Sequence, residues 1–193
     1  MPALVDANAL PTDKYAYRLY GVMAHLSPEQ QAAVKDFHRS IGVTNLATRP
    51  HCSIHNFYDP TDINLLRQRL SEAAAKSAPF TTEVLLSDFL TWPSGAGFGV
   101  KAHPGLMRLH DNVVAALDGI VKLIYAPDGA YQPHTTVLLS GTPAEVERAK
   151  QLGPALKLDP KLEVKSIELI GRIGPNRGGE YRVIASFPLT GQA

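Results

Sequence analysis

Two short segments of the chain share a pattern built around a histidine. They are Pro50-His51-Cys52-Ser53-Ile54 and Pro133-His134-Thr135-Thr136-Val137, and both read proline, histidine, any residue, serine or threonine, then an aliphatic residue. The shorter pattern His-x-Ser/Thr carries little information, because His38-Arg39-Ser40 also fits it. The longer pattern should arise by chance only about 0.03 times in a chain of this composition. Two occurrences therefore indicate a shared role.

On a strand, each segment would present an imidazole and a hydroxyl on one face. Side chains alternate along a strand, so His51 shares a face with Ser53, and His134 shares one with Thr136. The two members of each pair would lie roughly 7 Å apart along the chain, at ~3.3 Å per residue. Two such strands facing across a groove would place two imidazoles beside one small site lined by two hydroxyls.

This set of groups suits a phosphodiester or a cyclic phosphate. Hydroxyls donate hydrogen bonds to non-bridging phosphate oxygens. A neutral imidazole accepts a proton from an attacking water or ribose hydroxyl, and a protonated imidazole donates one to the departing oxygen. Histidine fits both roles because its reference pKa, about 6.5, lets both forms coexist near neutral pH. We expect this chemistry to need no metal and no other cofactor.

The elements around the two motifs repeat in the same order. Each half of the chain reads as strand, helix, Pro-His strand, helix, long strand, turn and short strand. Capping boxes at Ser27-Pro28-Glu29-Gln30 and Thr142-Pro143-Ala144-Glu145 mark two helix starts. The predicted strands are residues 14–25, 51–58, 80–90, 98–102, 134–140, 162–173 and 181–187, and the other two helices begin near Asp62 and at Pro104.

This order predicts an α+β fold with a bilobal, duplicated strand-helix-strand architecture. Two small antiparallel sheets are expected to flank a central cleft. We expect an N-terminal tail over residues 1–13 and a single domain over residues 14–190, with pseudo-repeats at about 14–102 and 98–188. Ligands of such proteins usually lie in the groove between the lobes.

Composition narrows the classes of function. The chain has 193 residues, of which 45% are hydrophobic, and a formal net charge of +1, which excludes a protein that coats nucleic acid through charge alone. Its single cysteine, Cys52, excludes an internal disulfide and a cysteine-based zinc cluster, as is typical of a reducing compartment. We recognise neither a signal peptide nor an apolar stretch of membrane-spanning length. The expectation is a cytoplasmic monomer without a membrane partner.

Several further residues have a structural interpretation beside a chemical one. His55 would be the next residue on the motif face, where the second motif has Leu138, and local packing is favoured over catalysis. Cys52 is expected to be a buried thiol rather than a nucleophile. The glycine-rich run at residues 95–99 indicates a turn rather than a phosphate-binding loop. Aromatic residues that could stack on a base are Trp92, Tyr131 and Tyr181. Basic residues that could contact an RNA backbone, or simply be solvated, are Arg172, Arg177 and Arg182.

The paired motifs and the repeated element plan resemble the two-histidine (2H) phosphoesterase superfamily, and within it the 2'-5' RNA ligase-like and cyclic nucleotide phosphodiesterase proteins. The resemblance covers about residues 15–189. It implies a bilobal α+β fold with a central cleft, and metal-independent reactions at 2',3'-cyclic phosphates or 2'-5' linkages of RNA and nucleotides. It also implies that His51 is the proton donor, that His134 is the proton acceptor, and that Ser53 and Thr136 hold the phosphate. Ser53 stands where threonine is commoner.

The leading hypothesis is thus a phosphoesterase whose substrates are RNA ends or cyclic nucleotides. Two alternatives stay open at the level of sequence. One is a binding module that holds RNA ends or nucleotides in the same cleft without turnover. The other is an esterase or lyase acting on a different phosphodiester, such as a cyclic ADP-ribose derivative. Ligation and hydrolysis use the same groups, so the residues do not distinguish between them.

Overall fold

The computed structural model describes residues 19–43, 50–58, 60–123, 131–173 and 180–192, and these form nine strands and four α-helices. The strands are β1 (Leu19–His25), β2 (His51–Tyr58), β3 (Phe80–Trp92), β4 (Gly95–Val100), β5 (Lys122–Leu123), β6 (His134–Leu139), β7 (Lys161–Val164), β8 (Ser166–Ile173) and β9 (Glu180–Pro188). The helices are α1 (Pro28–Ser40), α2 (Ile63–Ala75), α3 (Pro104–Leu117) and α4 (Pro143–Leu152). The predicted tail, residues 1–13, and residues 14–18 of the first predicted strand lie outside the described residues.

Local sequence signals determine where the helices begin. At α1 the Ser27 hydroxyl accepts a hydrogen bond from the backbone N–H of Gln30, and the Gln30 side chain accepts one from the N–H of Ser27. Thr142 and Glu145 make the same reciprocal pair at α4. Each pair satisfies backbone donors that a helix N-terminus otherwise leaves without partners. Both predicted capping boxes are confirmed.

The strands form one antiparallel sheet instead of the two small sheets that we expected. Their order is β7-β3-β4-β6-β2-β1-β8-β9, and β5 pairs with the end of β2. The two motif strands are direct neighbours, because His51 of β2 pairs with Thr136 of β6 and Cys52 pairs with Thr135. These hydrogen-bonded pairs make the sheet continuous through its centre. The α+β class is confirmed, and the two-sheet bilobal description is replaced by a single sheet.

The two halves of the sequence are interleaved in this sheet. On one side of the centre, β1 and β2 from the first half continue into β8 and β9 from the second half. On the other side, β6 and β7 from the second half enclose β3 and β4 from the first half. Each motif strand therefore pairs with at least one strand from the other half, which is why the repeats do not separate into lobes of their own.

The prediction of one long strand over residues 162–173 is wrong. The structure divides this segment at Lys165 into β7, which pairs with β3, and β8, which pairs with β1 and β9. The alternation of buried apolar residues also breaks there. Leu162 and Val164 are buried, and the next buried apolar residue is Ile167, whereas regular alternation would place it at position 166. One residue thus joins strands that stand far apart in the sheet order, so the sheet curls to bring them together.

The core lies on one face of the sheet, where the helices pack. Its buried cluster includes Val34 and Phe37 of α1, Leu66 and Leu70 of α2, and Leu106, Leu109 and Val113 of α3. The strands contribute the residues that alternate with the motif side chains, among them Cys52, Ile54, Val137 and Leu138. None of the helices in the described residues combines the length and the hydropathy of a membrane-spanning segment.

The glycine-rich run at residues 95–99 lies in β4, so the expectation that it forms a turn is wrong. The turn between β3 and β4 is formed by Pro93 and Ser94 alone. At Gly97 the reason for glycine is close approach, because a Cβ there would lie 1.7 Å from the carbonyl oxygen of Thr135 on β6. The small residues of β4 allow the backbones of β4 and β6 to pack closely beside the second motif.

The buried imidazole of His38 connects α1 to the motif strand β6. Its Nε2 contacts the backbone carbonyl oxygen of Val137, and because a carbonyl only accepts, this nitrogen carries the proton. Burial lowers the pKa of His38, and the hydrogen bond to Val137 partly opposes that shift. The folded protein therefore favours the neutral ring.

We expect the free energy of unfolding to fall as the pH drops below about 6.5, the reference pKa of histidine. The folded-state pKa of His38 is the lower one, so its contribution is complete above the unfolded-state value and is lost as the pH falls toward the folded-state value. Urea unfolding at a series of pH values from 8 to 5 measures this. His38→Gln keeps a donor for Val137 but does not titrate, so its stability should depend less on pH. An identical pH dependence in the two proteins would contradict the assignment.

Candidate active site

A cleft with a volume of about 570 Å³ opens on the face of the sheet opposite the core. Its lining side chains come from six strands: Leu19 and Met23 of β1, His51, Ser53, Asn56 and Tyr58 of β2, Leu90 and Trp92 of β3, His134, Thr136 and Leu139 of β6, Arg172 of β8, and Tyr181 of β9. The structure brings the four residues singled out from the sequence into this one cleft. None of these described lining residues is acidic, so this part of the cleft suits a negatively charged ligand.

The four motif side chains form a compact block on two adjacent strands. His51 lies directly opposite Thr136, and continuing this antiparallel register places Ser53 opposite His134. Directly opposed residues have Cβ atoms about 5 Å apart, and diagonal neighbours such as the two histidines are about 7–8 Å apart. The sequence predicted that the two motif strands face each other across a groove, and this prediction is wrong. They lie side by side and together form the floor of the cleft.

The predicted alternation within each motif is confirmed. His51 and Ser53 line the cleft, whereas Cys52 between them is fully buried on the core face. In the second motif, His134 and Thr136 line the cleft and Thr135 is fully buried. Only 2% of the His51 surface is exposed, so its imidazole lies deep in the cleft, while His134 is half-buried.

Each motif ends in a β-bulge at its aliphatic residue. Along β1 and β2 the register passes from Val22–His55 to Met23–Ser53, so Ile54 is an extra residue in β2. Along β4 and β6 it passes from Ala96–Leu138 to Gly97–Thr136, so Val137 is the extra residue in β6. A bulge of this kind inserts one residue and disturbs the alternation of side chains beyond it.

The bulges explain why the expected position of His55 is wrong. After Ile54 the alternation shifts by one residue, so His55 faces the core side and Asn56 faces the cleft. Likewise, Leu138 is fully buried and Leu139 lines the cleft. Asn56 is thus a cleft residue that the sequence pattern missed, because period-2 alternation contains no signal for an inserted residue.

On the core side, His55 belongs to an aromatic cluster. Its ring lies 5.8 Å from that of His110 on α3, and His110 stacks on Tyr131 at 4.1 Å. Burial lowers the pKa of His55, and the neighbouring His110 lowers it further. Tyr131 is not among the residues that line the cleft. Its hydroxyl donates a hydrogen bond of 2.8 Å to the backbone carbonyl oxygen of Ser53, next to the bulge. Local packing, the favoured role for His55, agrees with these contacts.

Cys52 is a buried thiol, as predicted. It is fully buried, and burial raises its pKa to about 11. The Sγ atom lies 3.8 Å from the hydroxyl oxygen of Tyr131. A thiol with a raised pKa on the core face supplies no thiolate near neutral pH, so it cannot act as the nucleophile of the cleft.

A hydrogen bond determines the tautomer of His134. Its Nδ1 lies 3.0 Å from the backbone carbonyl oxygen of Gln132, and since this oxygen only accepts, Nδ1 carries a proton. In the neutral ring Nε2 then has the free lone pair and acts as an acceptor. The ring also meets the indole of Trp92 edge to face, with centroids 5.6 Å apart. These two contacts orient the imidazole.

On the far side of His51 lie two residues that the sequence did not single out. His25 is paired with His51 across β1 and β2, and their rings meet edge to face with centroids 6.3 Å apart. The Nε2 of His25 lies 2.9 Å from a carboxylate oxygen of Glu168 on β8. Their closeness depends on the order β2-β1-β8, which no local pattern reveals.

Three arginines near the last hairpin were considered from the sequence, and the structure describes two of them. Arg172 lines the cleft, whereas Arg182 on β9 does not, and Arg177 lies outside the described residues. Of the aromatic residues considered for base stacking, Trp92 and Tyr181 line the cleft. Among the described residues, the cleft therefore combines the motif block at its centre with Arg172 and with three aromatic side chains, Tyr58, Trp92 and Tyr181.

Comparison with known proteins gives an independent result. The model of the 2'-5' RNA ligase superfamily matches residues 26–176. No curated protein matches the sequence significantly. Among solved structures, TT0787 of Thermus thermophilus is similar with a TM-score of 0.64 and 18% identity, over 91% of this chain and 100% of that one.

Two further structures are similar over nearly their whole lengths. Escherichia coli LigT, in a complex with 3'-AMP, has a TM-score of 0.59 and 16% identity, covering 91% of this chain and 99% of LigT. Usb1 of Kluyveromyces marxianus has a TM-score of 0.51 and 9% identity, covering 91% and 100%. At these identities the likeness shows a shared fold. The family match spans most of the sequence and includes both histidine motifs, so the chain belongs to the 2'-5' RNA ligase superfamily of 2H phosphoesterases.

Proposed function

We propose that the protein is a metal-independent phosphoesterase acting on 2',3'-cyclic phosphates or 2'-5'-linked ends of RNA and nucleotides. The observation that carries this proposal is the block of two imidazoles and two hydroxyls on adjacent strands at the floor of one cleft. Such a block supplies a proton acceptor, a proton donor and hydrogen-bond donors for phosphate oxygens. LigT, which shares the fold, has been solved with phosphate and with 3'-AMP, ligands of the same chemical class.

In this proposal His134 is the general base. Its Nδ1–H donates to Gln132, so the lone pair of neutral Nε2 is available to take a proton from water or from a ribose hydroxyl. His51, protonated, is the general acid that gives its proton to the departing oxygen. Ser53 and Thr136 hold the non-bridging oxygens, and Thr136 lies directly opposite His51.

For hydrolysis of a cyclic phosphate, the steps balance without a further reactant. A water oxygen bonds to phosphorus as His134 removes its proton, and the bond from phosphorus to one ribose oxygen breaks as His51 protonates that oxygen. The product is a phosphomonoester. His134 then holds the additional proton and His51 has lost one, so exchange with solvent restores both. The same sequence, with the hydroxyl of a second ribose in place of water, describes ligation, and its reverse describes cleavage of the linkage to a cyclic phosphate.

We expect nucleoside 2',3'-cyclic phosphates or short 2'-5'-linked oligonucleotides to be hydrolysed in the presence of EDTA. Both proton transfers and the phosphate contacts come from side chains, so chelation should leave kcat unchanged. Phosphorus NMR of the products, with and without EDTA, measures this directly. Loss of turnover on chelation would contradict the metal-independent mechanism. Recovery of intact ligand after tight calorimetric binding would favour a binding module instead.

A further inference from the structure

On one flank of the cleft, three polar atoms are buried and find no hydrogen-bond partner among the residues that the structure describes. They are Oδ1 of Asn56, Nε of Arg172 and the hydroxyl of Tyr181, and all three residues line the cleft. A buried donor or acceptor that has no partner destabilises the protein unless a bound molecule supplies one. Three such atoms converging on one cavity indicate that a ligand supplies their partners.

The sheet register brings these residues together. Arg172 on β8 pairs with Leu19 on one side and with Tyr181 of β9 on the other. Asn56 of β2 lies opposite Gly21 of β1. A Cβ at Gly21 would lie 2.6 Å from Oδ1 of Asn56, so glycine leaves the space that the amide occupies. We name the three residues Asn56, Arg172 and Tyr181 the polar flank.

A buried apolar cluster lies beside the polar flank. Met23, Ile170 and Val183 form a small buried cluster, separate from the main core, and the ring of Tyr181 packs against it. Met23 itself lines the cleft. A flat, largely apolar ring with polar atoms at its edge would match this combination of surface and unpaired groups.

The charge of the polar flank is also uncompensated. Within the described residues the guanidinium of Arg172 forms no ion pair, and no acidic side chain lines the cleft. The flank on the other side of the motif block is apolar rather than polar. Leu139 of β6 occupies the position that corresponds to Asn56, and Leu90 and Trp92 line the cleft beside it. The two flanks are thus unequal, and a substrate would bind in one orientation.

We propose that the polar flank is a nucleobase subsite selective for bases that present a carbonyl oxygen next to a ring N–H, namely uracil and guanine. This inference rests on the proposed function. The base carbonyl accepts from Nε–H of Arg172, and the ring N–H donates to Oδ1 of Asn56. The hydroxyl of Tyr181 forms a further hydrogen bond to the edge of the base, and the ring of the base packs beside the cluster of Met23, Ile170 and Val183. Asn56 is three residues from Ser53, about 10 Å along β2, a separation that one nucleoside spans.

A second phosphate is the competing ligand for Arg172. It fits less well, because an acceptor oxygen, Oδ1 of Asn56, faces the same space and would oppose phosphate oxygens, which are themselves acceptors. The apolar cluster beneath would also gain nothing from a charged, hydrated group. A nucleobase satisfies the donor, the acceptor and the apolar surface together.

The test compares kcat/KM for the four nucleoside 2',3'-cyclic phosphates. The wild-type protein should prefer uridine and guanosine to adenosine by about tenfold or more, since adenine leaves polar groups of the site unpaired. Asn56→Leu, which copies the apolar residue of the opposite flank, should abolish this preference by lowering kcat/KM for the uridine and guanosine substrates to the value for the adenosine substrate. Arg172→Met should do the same, and Arg182→Met is the matched control that should keep the preference.

Equal kcat/KM values for the four bases in the wild-type protein would overturn the proposal. So would an equal loss for all four bases in Arg172→Met, which would indicate a phosphate contact. If no cyclic phosphate is hydrolysed, the proposed function fails, and calorimetry with the four nucleoside 3'-monophosphates tests the subsite by itself. Tighter binding of the uridine and guanosine ligands, lost in Asn56→Leu, supports the subsite, and equal affinities overturn it.

Discussion

Replacing His134 by alanine should lower kcat for cyclic phosphate hydrolysis by about 10²- to 10⁴-fold, the range typical of general acid–base groups. The variant loses the Nε2 lone pair that the Gln132 hydrogen bond leaves available, so water must attack without a proton acceptor. His51→Ala should cause a loss of similar size, because the departing oxygen then leaves without a proton. Initial rates with a saturating cyclic phosphate measure both effects.

The pH dependence separates the two roles. The rate of the wild-type protein should rise with pH as the base loses its proton and fall again as the acid loses its own. His134→Ala should remove the rising limb and His51→Ala the falling one. His38→Gln is the matched control, because His38 also precedes a serine by two residues but contacts Val137 from the core side. A single alanine variant at His51 or His134 that keeps the full rate would refute the mechanism.

Gly97→Ala should lower the free energy of unfolding by about 3 kcal/mol, at the upper end of what an overpacked site usually costs. The added Cβ would lie 1.7 Å from the carbonyl oxygen and 2.9 Å from the carbonyl carbon of Thr135. Both atoms belong to the backbone, so β4 and β6 must move apart instead of a side chain turning away. Urea unfolding followed by circular dichroism measures the change.

The same substitution should also reduce turnover, because Thr135 lies between His134 and Thr136 on β6. Gly141→Ala is a suitable control, since its nearest neighbours are the flexible side-chain carbons of Leu138 at 3.0 Å and beyond. That variant should lose less than about 1 kcal/mol. Equal unfolding midpoints for Gly97→Ala and the wild-type protein would show that the two strands are not closely packed at this point.

The site was predictable to the extent that it depends on residues close together in the sequence. Alternation along a strand places His51 and Ser53 on one face and Cys52 on the other, and the structure agrees. The same reasoning fails two residues later, at His55, because Ile54 is inserted as a bulge. A bulge arises from pairing with a neighbouring strand, so a pattern within one strand contains no information about it.

The relation between the two motifs was predictable only in outline. Their doubling indicated a common site, yet the sequence suggested two sheets facing across a groove. Whether β2 and β6 pair directly depends on hydrogen bonds between residues more than eighty positions apart. The polar flank depends on the same kind of contact, because Asn56, Arg172 and Tyr181 meet only in the order β2-β1-β8-β9.

By itself, the amino-acid sequence determined the local features of this protein: the helix caps at Ser27 and Thr142, the motif strands, the buried thiol of Cys52 and the pairing of an imidazole with a hydroxyl on one face. Interactions over a few residues are enough for each of these. Tertiary structure alone decided which strands are neighbours, where the bulges lie, and that Asn56, Arg172 and Tyr181 share a flank. Those features depend on contacts between distant segments, which form only when the whole sheet has assembled.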